Sequence, residues 1–191
     1  MPAKAHPMTL RTLRTRGPCL LHPGTHHEKA TMPRETNVEE TIDIAAPPHA
    51  VYDTIVDVAR WGRFSPECTG ATTIHVDGPL RVGSRFTGHN RRGPLRRWTT
   101  HCTVTAAEPG RLFTFDVAGI GLAVATWSYR LQPLDDGTGT RLTEVWHDTR
   151  GPLMRVVAVG VSGVRDRGTH NRASMRTTLA NLKAHLEGAR A

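Results

Sequence analysis

The spacing of apolar residues changes period several times along this chain. Over 38–45 apolar and polar positions alternate, with Ile42 and Ile44 on one face, which predicts a β-strand. Pro47-Pro48 ends it. Pro48 suits the first turn of a helix, and Val51, Tyr52, Ile55, Val56 and Ala59 then recur at helical spacing, for a helix of about 12 residues. The segment Trp61-Gly62-Arg63-Phe64-Ser65-Pro66 predicts a second short helix or turn, closed by its proline. Alternation returns in six stretches, 69–76, 84–90, 97–106, 112–118, 123–132 and 140–148, each followed by a turn that contains glycine. Links this short predict antiparallel neighbours in a meander. Near the end, Met175, Leu179, Leu182 and Leu186 fall on one stripe of a long helix that Gly188 would stop. Gly160, Gly163 and Gly168 weaken any upstream extension, so 152–161 is either a separate short helix or a mobile flap.

This order, one strand, two short helices, six strands and one long helix, predicts an α+β fold. A single curved antiparallel sheet needs its apolar face covered, and only the last helix is long enough to cover it. Alternation assigns the inner faces. Phe113, Phe115 and Val117 share one, as do Ala123, Ala125, Trp127, Tyr129 and Leu131. Trp98, Thr100, Cys102 and Val104 share another, facing Phe86, Gly88 and Asn90. Leu142, Glu144 and Trp146 form the inner face of the last strand. A close-packed core favours Leu, Ile and Val throughout. Large rings beside glycine, alanine and isolated polar groups either leave room for a ligand or are filled by the long helix, and the strand faces weigh these equally.

The element order, the helix entry Ala45-Ala46-Pro47-Pro48-His49-Ala50-Val51-Tyr52, the segment Trp61 through Cys68 and the strand start Gly139-Thr140-Arg141-Leu142-Thr143-Glu144 carry a resemblance. Over about residues 36–188 the chain resembles the SRPBCC superfamily, START-like helix-grip proteins, and within it the polyketide cyclase/dehydrase and lipid transport branch. The resemblance implies a seven-stranded curved antiparallel sheet wrapped around a long C-terminal helix, with two short helices between strands 1 and 2 and a hydrophobic cavity inside. It implies a small hydrophobic ligand, a lipid, a polyketide-like or an aromatic molecule, bound unchanged, or in a minority of members cyclised or dehydrated. On this basis the expected ligand contacts are Trp61, Phe64, Phe86, Trp98, Cys102 and Phe113. Phe115, Trp127, Tyr129, Trp146, Asn171 and Met175 complete the set.

Glu144 is the candidate catalytic group. Between Leu142 and Trp146 it faces inward, where lost hydration raises a carboxyl pKa and suits it to general acid or base work. The alternative is a structural pair with Arg165 or Arg172. Glu67 either lines the entrance or, as we favour, is solvated. His89, His101 and His147 suggest a metal site only superficially, because His89 and His101 fall on the outward face and no carboxylate or cysteine completes the set. No metal and no cofactor is expected. His170 and Asn171 precede Met175 on the long helix, with Asn171 on the stripe that faces the sheet. No P-loop, glycine-rich dinucleotide turn, Ser-His-Asp order or His-Glu-x-x-His occurs.

Composition adds four points. The 191 residues carry 25 Lys+Arg against 17 Asp+Glu, a net charge of +8. Arginine outnumbers lysine 22 to 3, and half of the excess lies in residues 1–35, so the folded part has an ordinary surface charge and no nucleic-acid partner is expected. Residues 1–37 contain no Val, Ile, Phe, Tyr or Trp, so 1–35 is expected to be a disordered, dispensable extension before a single domain over 36–188. Met1, Met8 and Met32 are all candidate starts. Third, Cys19, Cys68 and Cys102 are odd in number and lack metal-ligand spacing, which places the protein in the reducing cytoplasm, with Cys102 a small buried hydrophobe. No stretch reaches the ~18 apolar residues of a membrane span, and no stable membrane association is expected.

Overall fold

The computed structural model describes residues 35–75 and 77–188. The extension expected over 1–35, with Cys19, therefore lies outside the described residues except for Glu35. Among the described residues, seven strands form one antiparallel sheet in the order β1-β7-β6-β5-β4-β3-β2. They are β1 (Asn37–Ile44), β2 (Cys68–Ile74), β3 (Arg85–Arg92), β4 (Arg96–Glu108), β5 (Leu112–Gly119), β6 (Leu122–Pro133) and β7 (Thr140–Asp148). The meander β2 to β7 follows from the short glycine turns. β1 then closes onto β7, with Val38 opposite Trp146 and Ile42 opposite Leu142.

Three positions break the alternation. Register slips at Thr69, Thr105 and Val124 each place an extra residue in one strand. Such bulges raise the local twist and bend the sheet, which makes its inner face concave. The slip at Val124 also corrects the expected inner face of β6: Ala125, Trp127, Tyr129 and Leu131 point inward, but Ala123 is exposed and Val124 turns toward the interior instead.

The first helical region is shorter and more broken than a single helix of about 12 residues. α1 spans Pro48–Val56, and a 3-10 helix follows over Val58–Arg63, taking in Ala59. The cause is Trp61. Its indole Nε1 donates to the Ile55 carbonyl oxygen at 2.7 Å, where a continuing α-helix would place a backbone N–H. Gly62 permits this turn, because a Cβ there would meet the Thr69 carbonyl oxygen at 2.3 Å.

The segment after β7 is a helix, α2 (Pro152–Ser162), rather than an irregular flap. α3 (Arg167–Gly188) crosses the concave face and packs Met175, Leu179, Leu182 and Leu186 against the sheet. Its start, unclear from the glycines alone, is set by Asp166, whose carboxylate accepts from the Thr169 backbone N–H at 3.1 Å and the Thr169 hydroxyl at 2.8 Å. Gly168 serves close approach: a Cβ there would meet the Glu35 carbonyl oxygen at 2.8 Å. Arg172 and Arg176 then tie α3 to Glu40 of β1.

Candidate functional site

The sheet and α3 part toward one end and enclose a cavity of about 390 Å3. Its closed end is aromatic. Trp61, fixed by its hydrogen bond to Ile55, stands 5.7 Å from Phe86 and 5.3 Å from Phe115, centroid to centroid. Asn181 of α3 donates to the Phe64 carbonyl oxygen at 2.8 Å and holds this segment against the helix. Toward the open end the wall passes through Trp127, Trp146 and Met175, with Cys102, Gly88 and Thr100 on the far strands. The mouth is framed by three segments: α2, the β5–β6 turn at Ile120, and the β3–β4 hairpin, whose Arg92 and Arg96 donate to the last carbonyls of α2.

Two buried polar groups face this apolar space. Glu144 is 3% exposed and stands opposite Tyr129 on β6, whose hydroxyl donates to Oε1 at 2.8 Å. Its Oε2 has no partner among the described residues. Burial pushes the carboxyl up to about 8, although the Tyr129 hydrogen bond pulls the other way. The Tyr129 hydroxyl is itself raised, by burial first and by Glu144 second. Asn171, on α3, is 2% exposed, and its Nδ2 is likewise unpartnered. Glu144 lies deeper. Met175, one turn after Asn171, packs with Trp146, two residues beyond Glu144 on the strand that runs toward the mouth.

The alternative for Glu144, a structural pair with Arg165 or Arg172, does not form. Glu40, the neighbour of Glu144 across β1 and β7, takes Arg172 at 2.6 Å and Arg176 at 2.9 Å, and these pull its carboxyl below the ordinary range. Glu67 also differs from expectation. It is not solvated but clasped at the cavity wall by Arg167, through both guanidinium nitrogens, and by His170 at 2.8 Å. Burial pushes its carboxyl up, yet these partners hold it below the ordinary range.

Residues 35–187 match the family described as polyketide cyclase / dehydrase and lipid transport. The chain belongs to that family. Among solved structures, it is similar to a polyketide cyclase-like protein from Corynebacterium glutamicum at 33% identity, over 82% of this chain and 94% of that one, with a TM-score of 0.57. A protein from Mycobacterium smegmatis shares 22% identity over 81% of this chain and 92% of its own, with a TM-score of 0.55. The di-domain ARO/CYC StfQ of the steffimycin biosynthetic pathway shares the fold at 16% identity, over 81% of this chain and 51% of its own, with a TM-score of 0.62. No curated protein matches the chain.

In this family member the expected contact residues meet around one space, with one correction. Phe113 does not line the cavity. Tyr52 of α1 packs edge-on against it at 6.4 Å and seals that end, so Phe113 belongs to the core behind Phe115. Cys102 lines the wall as an inert thiol, pushed up to about 12 by burial. The register sets His89 opposite Thr99 and His101 opposite Thr87, so the two histidines are not cross-strand partners. Among the described residues no group of three His, Cys, Asp or Glu is placed to hold a metal.

Several wall residues escaped the sequence pattern. Arg150 lines the mouth in a largely buried bidentate pair with Asp148, at 2.7 and 2.8 Å, its guanidinium 6.0 Å from the Trp146 ring. The local signal for that pair was an Asp and an Arg two apart at a strand end. α2 contributes Met154, Val157, Ala158 and Val161. Its signal was an apolar run that helical periodicity could not assign to one face. Arg167 and His170 were legible only as two basic positions three apart, with nothing in the sequence to bring Glu67 to them.

Proposed function

We propose that the protein binds a small, uncharged, largely apolar molecule in this cavity without changing it. One observation carries the reading: Glu144 Oε2 and Asn171 Nδ2, both buried and unpartnered, face a space otherwise walled by aromatic rings. Buried polar groups are nearly always hydrogen-bonded, so these two are suited to partners supplied by a ligand. The volume lies toward the lower end of the roughly 300–1,000 Å3 of small-molecule sites. The charge of the wall argues for a neutral guest. Arg150 and Arg167 are each already paired with a carboxylate, and a fatty-acid carboxylate would have to be desolvated without a cation of its own. An aromatic or polyketide-like ketone, or a neutral lipid, fits this wall. Two described cysteines, both free, support a reducing cytoplasmic setting.

The test is native mass spectrometry of the purified protein, followed by titration of the co-purified compound while Trp127 and Trp146 emission is recorded. Retention of an apolar compound and a changed emission are expected. A protein that carries no compound and binds no hydrophobic dye, with all its emission unmoved, sinks the reading.

A second reading, a cyclase or dehydratase with Glu144 as acid or base, is favoured by the value near 8, which leaves a transferable proton on the carboxyl at neutral pH. Glu144→Gln separates the two. For a binder the affinity falls by about 1–2 kcal/mol at most. For an enzyme turnover falls by about two to four orders of magnitude while binding holds.

A further inference from the structure

Helix α2 is apolar on both faces. Met154, Val157, Ala158 and Val161 look into the cavity, while Leu153 and Val156 look outward and are 67% and 73% exposed. Arg155 and Ser162 are its only polar side chains. An apolar helix face is normally covered, and nothing among the described residues covers this one. The exposure extends beyond α2. At one end of the helix, Met154 packs beside Gly119, where the β5–β6 turn presents Ile120 and Leu122. At the other end, the arginines that grip α2 belong to the β3–β4 hairpin, whose Leu95 is 93% exposed. The exposed apolar side chains thus ring the cavity mouth, a patch of the kind that marks an interaction surface.

The hairpin beside the patch is strongly basic. At the hairpin end Arg92 and Arg96 turn to the cavity side and bond the end of α2, while Arg91 and Arg97, exposed and opposite each other in register, stand on the outward face of the sheet just behind the hairpin tip. Of the carboxylates near the mouth, Asp148 is held by Arg150, Glu67 by Arg167 with His170, and Asp166 caps the start of α3 through Thr169. Two copies meeting through this face would bring their arginine hairpins together, and like charges oppose that. A surface of negative charge over an apolar interior meets both features at once.

We propose that the rim formed by the outer face of α2, Leu95 and Arg91 with Arg97 is a reversible docking surface for an anionic lipid bilayer, which sets the cavity mouth against the membrane. The helix lies on such a surface and does not span it: none among the described residues is long and apolar enough to cross. Apolar side chains enter the headgroup boundary and arginines hold the anionic lipids, each arginine contributing about fivefold in partition. Docking needs no bound ligand, so it stands or falls independently of the cavity's occupant. Its use is transfer: an apolar guest would pass between bilayer and cavity without crossing water.

The full chain is sedimented with vesicles of phosphatidylcholine alone and of phosphatidylcholine mixed with phosphatidylglycerol. It should pellet with the mixed vesicles, stay in solution with the neutral ones, and be released by high salt. Leu153→Glu with Val156→Glu should lower binding at least tenfold, and Arg91→Gln with Arg97→Gln at least fivefold. Both pairs should keep the wild-type melting temperature, because the side chains changed are exposed. No binding to the mixed vesicles overturns the proposal. Binding that the α2 pair leaves undiminished also overturns it, since the basic residues 1–35 or another surface then carry the attraction. So does a wild-type dimer that the α2 pair splits, because a second copy then covers the face.

Discussion

Glu67 and Glu144 are the same side chain on walls of the same cavity, and the fold treats them in opposite ways. Glu67 sits at the clasp between the start of β2 and the start of α3, where Arg167 and His170 fill both oxygens. It is ionised and already partnered, and its work is to hold two elements together. Glu144 lies on β7, the second strand from the sheet edge, with one oxygen on Tyr129 and the other turned to the cavity without a partner among the described residues. Burial keeps its proton on. The arginines that would have neutralised it are drawn off one strand away by Glu40. A saturated carboxylate stabilises the frame, whereas an unsaturated carboxyl is available to whatever enters the cavity.

The contrast predicts opposite pH slopes, and the largest expected effect tests it at Glu144. Its folded value near 8 stands above the ordinary 4.5. Below 4.5 both folded and unfolded chains hold the proton. Between 4.5 and 8 the unfolded chain releases it and the folded one does not, so stability declines as pH rises and levels off above 8. Glu144→Gln should remove this decline, so the stability difference between variant and wild type should swing by up to about 4 kcal/mol in the variant's favour from pH 4.5 to pH 9. Urea denaturation at both pH values checks it, and equal slopes in the two proteins would mean that water hydrates the carboxyl.

Next in size is Glu67→Ala, which leaves Arg167 and His170 facing a vacancy in a partly buried clasp. A loss of about 2–3 kcal/mol at pH 7 is expected, below the full cost of breaking a wholly buried pair. Its contribution runs the other way with pH: the carboxyl is held low, so the stabilisation is present above the ordinary carboxyl range and lost as pH falls through the folded value. A loss under ~0.5 kcal/mol would reduce the clasp to an ordinary surface pair.

Tyr129→Phe sharpens the contrast at smaller scale. It removes the only hydrogen bond to Glu144 among the described residues and should cost about 1 kcal/mol. Because that bond lowers the Glu144 value, the pH at which the Glu144 decline levels off should move upward. An unchanged profile would locate the proton's control elsewhere. The smallest effect is expected from a chain starting at Met32, which retains Glu35 and its ion pair with Arg172. Its melting temperature should differ by less than a few degrees, and a larger loss would show that the removed residues pack.

The two carboxyls also show where sequence reasoning succeeds. Glu144 was legible because strand alternation is local: Leu142 and Trp146 on either side determine its face. Glu67 was not, because its partners lie about a hundred positions away on a helix whose start no periodicity marked. The same division holds for the fold. Strands and the α3 stripe follow from period, while the bulge at Val124, the break after Val56 and the edge of Tyr52 on Phe113 depend on contacts between segments. The apolar wall of α2 was visible as composition, but a helix apolar on two faces gives periodicity nothing to orient.

The closure of β1 onto β7 bears on how the chain is made. Asn37 pairs with His147 and Ile44 with Thr140, so β1 is synthesised about a hundred residues before the strand it pairs with. Meanwhile β2 to β7 can assemble hairpin by hairpin from contacts close in sequence. The final pairing joins ends separated by nearly the whole domain, a high contact order that slows folding to the millisecond-to-second range of sheet proteins. Until it forms, α3 lacks Glu40, the carboxylate that anchors Arg172 and Arg176 over the cavity.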